Sequence, residues 1–331
     1  MKFLLRSFFF LILAVAVLAG GFYAWYDRPL DLPAETVEFR VPAGTGLRGV
    51  VGILERAGVN VQGNLLVLAA RLSGKEGAIR AGTYGITAGI TPGELLDTLV
   101  QGKVLQVEVR LIEGWTFRQW RSQLASQPGL EHVSAGLGDA ELMQRLGFPG
   151  VAPEGMFFPD TYRVDKYSSD LELLSRAARA MQRHLQREWE GREQGLPYRT
   201  PYEALIMASI VEKETGQAAD RGMVAGVFVN RLRLGMRLQT DPTVIYGLGE
   251  RFDGNLRKVD LQTDTPYNTY TRAGLPPTPI AMPGLASLRA ALHPARTEAL
   301  YFVARGDGSS HFSRSLDEHN QAVNRYQRRS R

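Results

Sequence analysis

The sequence predicts an α+β protein made of one N-terminal transmembrane helix, a small α/β domain and a larger α+β domain. Three observations support this fold class. An uncharged apolar stretch covers residues 8–25, strand-turn-helix patterns follow it, and the second half of the chain combines capped helices with a loop-rich segment. The 331 residues are enough for a membrane segment and two modest domains.

The composition excludes several kinds of site. The chain contains no cysteine, so disulfides, thiolate metal sites and a cysteine nucleophile are excluded. The formal net charge is +5, and the basic residues are mostly arginines spread along the chain without a dense run. Nucleic-acid binding is therefore not expected, whereas a diffuse positive surface suits an anionic polymer.

The N-terminal segment has the length and composition of a membrane anchor. We expect residues 1–7 to be a cytoplasmic tail and residues 8–28 to be the anchor, because an uncharged run of this length can cross a bilayer. Lys2 and Arg6 precede the run, so the positive-inside rule places the N-terminus in the cytoplasm and the remainder in the periplasm. The alternative is a signal peptide cleaved after Ala19, but the apolar run continues past that residue into aromatic residues.

The first predicted domain covers residues 36–106. Residues 37–41 alternate as a strand, and a helix is predicted over residues 47–57 after a glycine-rich turn. Thr91 and Glu94 have the spacing of a capping box at the start of a later helix. This block is too small for a catalytic cleft and contains no histidine.

The second predicted domain covers residues 107–331. Its elements, in chain order, are a strand-turn-helix unit over 107–124, a charged helix over 179–192, a helix over 220–234, a strand over 300–304 and a terminal helix over 317–328. The charged helix is expected to present a solvated face. Residues 239–283 are rich in Pro, Gly, Thr and Tyr, which predicts loops and short strands.

Residues 200–216 predict a helix with signals at both ends. Thr200 suits the N-cap, Pro201 occupies the first helical position, and Glu203 completes a capping box. Gly216 suits a left-handed stop.

Glu214 is expected on the apolar side of the last turn of this helix. At 100° per residue, Ser209 and Lys213 mark the polar side, Glu214 lies roughly 50° from the centre of the apolar arc and Glu212 roughly 110° from it. Burial and the negative end of the helix dipole should both raise the pKa of Glu214. A glutamic acid that stays protonated near neutral pH can act as a general acid. The alternative is a buried glutamate paired with an arginine.

Six segments, taken together, resemble the YceG-like family of endolytic, membrane-bound lytic murein transglycosylases. They occur in order from the first predicted domain almost to the end of the chain, and the predicted anchor also fits. The segments are RAGTY (80–84), EGMFFPDTY (154–162), ASIVEKET (208–215), RLQTDPTVIYG (237–247), YNTY (267–270) and GLPP (274–277).

The resemblance implies a LysM-like domain at residues 36–106 and a catalytic domain at residues 107–331. It also implies a catalytic glutamate, and the second acid of the EKE triplet corresponds to Glu214. The implied reaction is non-hydrolytic cleavage of the MurNAc–GlcNAc β-1,4 bond within nascent peptidoglycan strands, which leaves 1,6-anhydroMurNAc ends. The implied partners are peptidoglycan strands and penicillin-binding proteins of the wall-synthesis machinery. No metal or other cofactor is expected.

One carboxyl group is sufficient for such a reaction. Hydrolytic glycosidases place two carboxylates across the scissile bond, whereas a transglycosylase whose nucleophile belongs to the substrate needs only one. Glu214 would donate a proton to the leaving oxygen and then accept one from the muramoyl C6 hydroxyl. Hydrolysis would become feasible if Asp160 lay opposite Glu214. However, Glu154 and Asp160 flank Phe157-Phe158-Pro159, which we interpret as a packing motif.

Several polar and aromatic residues are candidates for contact with the sugar. They are Gln239, Asp241, Tyr246, Asn268 and Tyr270. Each also has a structural interpretation, since Asp241 precedes a proline and could cap a helix, and the tyrosines could cover the core.

Two other functions remain open from the sequence. Pyridoxal-phosphate chemistry needs a Schiff-base lysine, but the chain has only six lysines, and Lys213 is expected on the polar face of its helix. The second is a non-catalytic, membrane-anchored scaffold that binds peptidoglycan. A scaffold would not need an acid on an apolar helix face.

Overall fold

The computed structural model describes residues 2–328, and it begins with a long apolar helix. Met1 of the predicted tail and residues 329–331 of the predicted large domain lie outside the described residues. Helix α1 (Lys2–Tyr26) is 25 residues long. Its segment Phe3–Tyr26 has a mean hydropathy of 2.4 and is long and apolar enough to span a membrane. The helix begins earlier than predicted and includes the described part of the predicted tail.

The chain divides into two compact units. The first is Met1–Glu108 together with Arg163–Ser168, and the second is Val109–Tyr162 together with Ser169–Arg331. The pattern of residues 107–331 does not predict the return of Arg163–Ser168 to the first unit.

The first unit contains a two-stranded sheet covered by three helices. Strand β1 (Thr36–Val41) runs antiparallel to β2 (Gly82–Thr87), with Thr36 opposite Thr87 and Val41 opposite Gly82. Alternate residues of β1 are buried, as its sequence pattern predicts. The helices are α2 (Leu47–Arg56), α3 (Gly63–Leu72) and α4 (Pro92–Gln101). The predicted capping box at the start of α4 is confirmed.

The second unit is mostly helical. Its helices are α5 (Phe117–Ser126), α6 (Asp139–Arg145), α7 (Asp170–Glu190), α8 (Pro201–Glu214), α9 (Arg221–Arg233), α10 (Asp241–Leu248), α11 (Lys258–Gln262), α12 (Leu285–Leu292) and α13 (Leu316–Val323). In this unit β7 (Tyr301–Ala304) pairs with β8 (Ser310–Ser313). The other strands of the described chain are β3 (Gln106–Arg110), β4 (Leu130–Glu131), β5 (Thr161–Asp165) and β6 (Ser168–Ser169). The mixed helix-and-strand class is therefore confirmed.

Helix α8 lies at the centre of the second unit. Every residue from Ala204 to Val211 is buried, and α7, α9, α10 and α12 pack around the helix. The predicted polar side at Ser209 is wrong. Ser209 is fully buried, and its hydroxyl donates to the carbonyl of Ile206 and accepts the amide of Ile280. Because these two backbone partners satisfy the hydroxyl, a polar side chain can occupy the core.

The two ends of α8 differ in how well the sequence predicts them. Thr200 is the N-cap, with its hydroxyl 3.2 Å from the amide of Glu203, and Pro201 is the first helical residue. The carboxylate of Glu203, however, accepts the amide of Arg199 rather than that of Thr200. The helix ends at Glu214, and the backbone of Thr215 is extended (φ −142°). The predicted left-handed stop at Gly216 is therefore wrong, because the chain leaves the helix by extension one residue earlier.

The loop-rich stretch 239–283 contains helices rather than the predicted short strands. Two short helices, α10 and α11, occur within it, and this described stretch forms no strand. The strand predicted over residues 300–304 is confirmed as β7. The terminal α-helix ends at Val323 and continues as one wider turn over Asn324–Arg328.

Candidate active site

Glu214 is the last residue of α8, and its carboxylate meets the start of α10. Its Oε2 accepts a hydrogen bond of 2.6 Å from the hydroxyl of Thr240. Burial of the carboxyl group raises its pKa above the ordinary value, and the charge of Asp241 raises it further. The Thr240 hydroxyl and the more distant charge of Arg231 act in the opposite direction, but burial dominates. The direction predicted from the position of Glu214 on its helix is thus confirmed.

Thr240 is held in place by a buried cluster of threonines. Its amide donates to the hydroxyl of Thr269 at 3.1 Å, and its carbonyl accepts the hydroxyl of Thr243 at 2.8 Å. The hydroxyls of Thr243 and Thr269 are 2.8 Å apart. All three residues are at most 3% exposed. The donor to Glu214 is therefore fixed before any substrate arrives.

Arg231 is buried nearby, but it is not the ion-pair partner that the alternative interpretation requires. Its guanidinium donates to the carbonyls of Leu300 at 2.7 Å and Leu238 at 2.8 Å. Among residues 2–328, Glu214 forms no ion pair within 4.0 Å. The hydrogen-bond partner of the carboxyl group is a neutral hydroxyl, and no ion pair with a described residue holds the group in its ionised form. It can therefore be protonated or ionised, as a general acid must be.

Gln239 and Asp241 flank this threonine on the chain, and both are exposed. Gln239 has a left-handed backbone (φ +49°). This conformation is energetically unfavourable for residues other than glycine. Asp241 does not cap α10. The N-cap is Thr240, and Asp241 is the first helical residue. The Asp241 carboxylate instead accepts the hydroxyl of Tyr270 at 2.6 Å.

Asn268 lies deeper than the other candidates for sugar contact. Its side chain has no exposed surface. The amide donates to the carbonyls of Asp260, Leu261 and Thr263, and its Oδ1 accepts the amide of Tyr270. These bonds hold the loop that carries Thr269, and the hydroxyl of Thr269 accepts the amide of Thr240. Asn268 therefore affects the position of Thr240 only through this loop.

Glu154, which the sequence pattern assigned to the flank of a packing motif, forms a separate and buried carboxyl site. It is 5% exposed, and its carboxylate accepts the amide of Phe117, at the start of α5, at 3.0 Å and the hydroxyl of Tyr246 on α10 at 3.1 Å. Burial raises its pKa to about 7, against the lowering effect of these two donors. The available signal was an acid directly before a glycine in a loop. Gly155 has φ +78°, and a Cβ there would lie 2.5 Å from Pro279.

Glu154 and Tyr246 line a large cleft of about 1290 Å³. Its wall also includes Arg121, Lys213 and Pro242, whereas Glu214 is not among the lining residues. Lys213 and Pro242 directly adjoin Glu214 and Asp241 in the sequence, so one edge of the cleft reaches the turn of α8 that carries Glu214. The size and mixed lining of this cleft suit an extended polar ligand.

Asp160 is not among the residues that line the large cleft. It is exposed and lies in a second cavity with Arg176, Arg179 and Arg183. Asp160 therefore does not face Glu214 across the large cleft. The condition under which hydrolysis would become feasible is not observed. Phe157 is fully buried and stacks on Phe117, as the packing interpretation predicts. Within residues 2–328, no group of three His, Asp or Glu side chains is placed to hold a metal ion.

Comparison with known proteins places this chain in a family. The YceG-like family matches residues 39–325. A protein of Bacillus subtilis named endolytic murein transglycosylase is 32% identical over 94% of this chain and 91% of its own length. A protein of the same name from Streptococcus pneumoniae is 25% identical over 95% of this chain and 64% of its own length. The crystal structure of a YceG-like protein from Listeria monocytogenes superimposes with a TM-score of 0.55 and 28% identity, covering 87% of this chain and 98% of that one.

Proposed function

This chain belongs to the YceG-like family, and we propose that it is a membrane-anchored, endolytic lytic transglycosylase of peptidoglycan with Glu214 as its single acid and base. The observation that carries the assignment of the acid is the placement of Glu214. Its half-buried carboxyl has a raised pKa and one hydroxyl donor held by the threonine cluster, and it adjoins in sequence a residue that lines a cleft large enough for a glycan. The names of the relatives support the reaction class.

In the first half of the reaction, Glu214 protonates the oxygen of the MurNAc–GlcNAc β-1,4 bond. The bond from C1 to that oxygen breaks, and the proton leaves with the GlcNAc hydroxyl. The ring passes through an oxocarbenium-like transition state, as in other glycosidic cleavages. A carboxyl group that keeps its proton near neutral pH is the donor that this step needs.

In the second half, the C6 hydroxyl of the same MurNAc residue attacks C1. The new C1–O6 bond closes a 1,6-anhydro ring, and the hydroxyl proton returns to the Glu214 carboxylate. No water is consumed, and the enzyme ends in its starting protonation state. Because the nucleophile belongs to the substrate, proximity is provided by the sugar itself. A second carboxylate facing Glu214 is not required, which agrees with the position of Asp160 in another cavity.

The exposed polar residues beside Glu214 are the best candidates for holding the sugar. Gln239 and Asp241 adjoin Thr240, the donor to Glu214, and Tyr270 donates its hydroxyl to Asp241. Tyr246 would contact substrate through the large cleft, whereas Asn268 would act only by shaping the loop. The left-handed backbone of Gln239 is maintained against its cost, which favours a role for this residue at the site.

The proposal also covers the rest of the chain. Residues 8–28 would anchor the protein, with the N-terminus in the cytoplasm and residues 107–331 in the periplasm as the catalytic domain. Residues 36–106 would form a LysM-like domain that binds glycan, and the enzyme would work beside penicillin-binding proteins. Removal of residues 36–106 should weaken retention of the protein on purified sacculi, and unchanged retention would remove that role.

The decisive experiment is Glu214→Gln, which keeps the size of the side chain and its hydrogen bond to Thr240 but removes the acid. Wild type and variant are incubated with uncrosslinked glycan strands, and anhydro-ended products are counted by mass spectrometry. We expect the variant to lose about 10²–10⁴-fold in rate, the usual contribution of a general acid or base. Glu212→Gln, which changes the other acid of the triplet, is the matched control and should keep the wild-type rate.

Equal product from wild type and Glu214→Gln would contradict the assignment of the acid. Absence of anhydro product from the wild type, together with retention on sacculi, would favour the anchored scaffold that binds peptidoglycan without cleaving it.

A further inference from the structure

A second, smaller cavity of about 250 Å³ lies along α7 and shares no lining residue with the large cleft. Three arginines of the helix line it, namely Arg176, Arg179 and Arg183. At 100° per residue they lie on one face of α7, on successive turns. Asp160 is the only acidic residue among the lining residues. Three exposed arginines and one exposed aspartate therefore border the same cavity.

Two of these arginines are available to bind a ligand. The guanidinium of Arg179 donates to the neutral hydroxyl of Ser175 at 2.8 Å, and neither Arg179 nor Arg183 forms an ion pair with any residue between 2 and 328. Elsewhere in the chain, Arg145, Arg272 and Arg289 have acidic partners. Arginines on one helix face repel one another, one aspartate balances only part of their charge, and a bound anion would reduce the repulsion that remains.

The floor of the cavity is apolar and well fixed. The ring of Phe158 stacks on His184 with centroids 4.2 Å apart, and the backbone amide of Phe158 donates to the carbonyl of Ala177 at 3.0 Å. Tyr162 is 7% exposed and its hydroxyl donates to the carbonyl of Phe158. Burial and the neighbouring arginines lower the pKa of His184. The formally charged residues that line the cavity are the three arginines and Asp160.

We propose that this cavity binds the end of a murein stem peptide, with Arg179 and Arg183 holding a free carboxylate and Asp160 receiving a free ammonium group. The identification of the ligand rests on the proposed function, because peptidoglycan is the polymer that brings such peptide ends to the protein. A guanidinium group matches a carboxylate with two parallel hydrogen bonds. The volume is below the roughly 300–1,000 Å³ of typical small-molecule pockets, so it suits one peptide residue rather than a disaccharide.

The same chemistry argues against a phosphate ligand. A phosphate would also be attracted to the arginines, but Asp160 would repel it, and a phosphate that carries no ammonium group offers Asp160 no cation in exchange. A zwitterionic peptide end satisfies both signs of charge in the cavity. The consequence for the enzyme is a contact that recognises strands with uncapped peptides at a distance from the scissile bond.

The test measures binding without cleavage, in full-length Glu214→Gln protein in detergent micelles. Isothermal titration calorimetry compares a soluble stem tetrapeptide that has a free C-terminal carboxylate and a free side-chain amine with its C-terminal amide. We expect the dissociation constant of the free peptide to be at least about tenfold higher for the double variant Arg179→Gln/Arg183→Gln than for the protein with both arginines. The C-terminal amide should bind weakly and equally to both proteins. Asp160→Asn should weaken the peptide with a free amine but not its acetylated form.

Arg187→Gln is the matched control, because Arg187 lies on the same helix one turn after Arg183 but outside the cavity. An equal loss in this control, or unchanged binding in the double variant, would overturn the proposal. The proposal would also be overturned if glycerol phosphate bound more tightly than the peptide and its binding depended on Arg179 and Arg183. Circular dichroism and the conservative variant Arg183→Lys, which keeps the charge, separate loss of the site from loss of fold.

The outcomes separate this site from the reaction. Peptide binding that depends on Arg179 and Arg183 in a protein that makes no anhydro product would leave the site standing and remove the proposed reaction. Normal product formation by a protein that binds no stem peptide would remove the site and leave the reaction standing.

Discussion

Glu214 and Glu154 are two carboxyl groups of the same unit, and burial raises the pKa of both above the ordinary 4.5. They differ in the groups that donate to them. Glu214 accepts one hydrogen bond, from the hydroxyl of Thr240. Glu154 accepts a backbone amide from Phe117 and a phenolic hydroxyl from Tyr246. Glu154 lines the large cleft, whereas Glu214 adjoins its edge through Lys213.

Under the proposed function, this difference separates the acid that exchanges protons from a carboxyl group that connects elements. Glu154 accepts a backbone amide and so connects its loop to the start of α5, and Tyr246 extends the connection to α10. Glu214 has a single side-chain donor, which in the proposed reaction leaves the other carboxyl oxygen for a sugar oxygen. A raised pKa alone thus does not identify the acid of the reaction, because structural carboxyls also show one. The number and kind of donors distinguishes the two.

The largest expected effect is on the pH dependence of stability, through Glu154. Its pKa is about 7 in the folded protein against an ordinary 4.5, so between these values the folded state holds a proton that the unfolded chain has lost. Stability contributed by the protonated group is present below pH 4.5 and is lost as the pH rises to 7, a loss of about 3 kcal/mol. Glu154→Gln should remove this loss, and chemical unfolding in detergent micelles at pH 4.5 and 7.5 measures it.

Glu212→Gln is the control for this comparison. Glu212 also accepts a backbone amide, from Gly284 at 3.0 Å, but it is half-buried. Its replacement should leave the slope of stability against pH as in wild type. A Glu154→Gln protein that loses stability as steeply as wild type would show that Glu154 is ordinarily ionised and that its burial has no consequence.

The fold was predictable where capping residues and periodicity agree. Thr91 with Glu94, and Thr200 with Pro201, mark helix starts that the structure confirms, because caps satisfy backbone groups locally. The wrong predictions concern positions decided by tertiary contacts. Ser209 is buried because a distant amide completes its hydrogen bonds, and no periodicity within α8 signals that partner.

Of the candidate site, the direction of the pKa of Glu214 was predictable, because it follows from the position of this residue on α8. Its role as the acid stays a prediction. For Glu154 the sequence predicted only a place beside a packing motif, because the partners of its carboxylate come from segments 37 and 92 residues away. Asn268 was expected near the sugar because polar and aromatic residues surround it in the sequence. In the structure its side chain is buried and bonds to the backbone of its own loop. The sequence pattern of this segment does not distinguish these two positions.

The next largest expected effect is that of Thr240→Val on the pKa of Glu214. The hydroxyl of Thr240 stabilises the ionised carboxylate and lowers its pKa, so its removal should raise that pKa. The first step of the proposed reaction needs the protonated acid, and the alkaline limb of the pH–rate profile should therefore move up by about one pH unit, since a hydrogen bond to a charged group contributes about 1.5–3 kcal/mol. Thr240→Ser keeps the hydroxyl and should restore the wild-type profile. An unmoved limb in Thr240→Val would show that this limb does not report Glu214.

The smallest expected effect is that of Tyr246→Phe, which removes one donor from Glu154 while its ring can still pack edge-to-face on Tyr267, 4.9 Å away between centroids. The lost hydroxyl lowered the pKa of Glu154, so that pKa should rise by about half a unit. The rise is smaller than for Thr240→Val because this bond is longer, at 3.1 Å, and the amide of Phe117 still donates to the carboxylate. The upper end of the stability loss then moves to higher pH in the same unfolding series. The alkaline limb of the pH–rate profile should stay in place, because Tyr246 donates to Glu154 and Glu214 has its own donor. A shift of both would mean that the two carboxyls titrate as a coupled pair, and the division between a connecting acid and a reacting acid would then be lost.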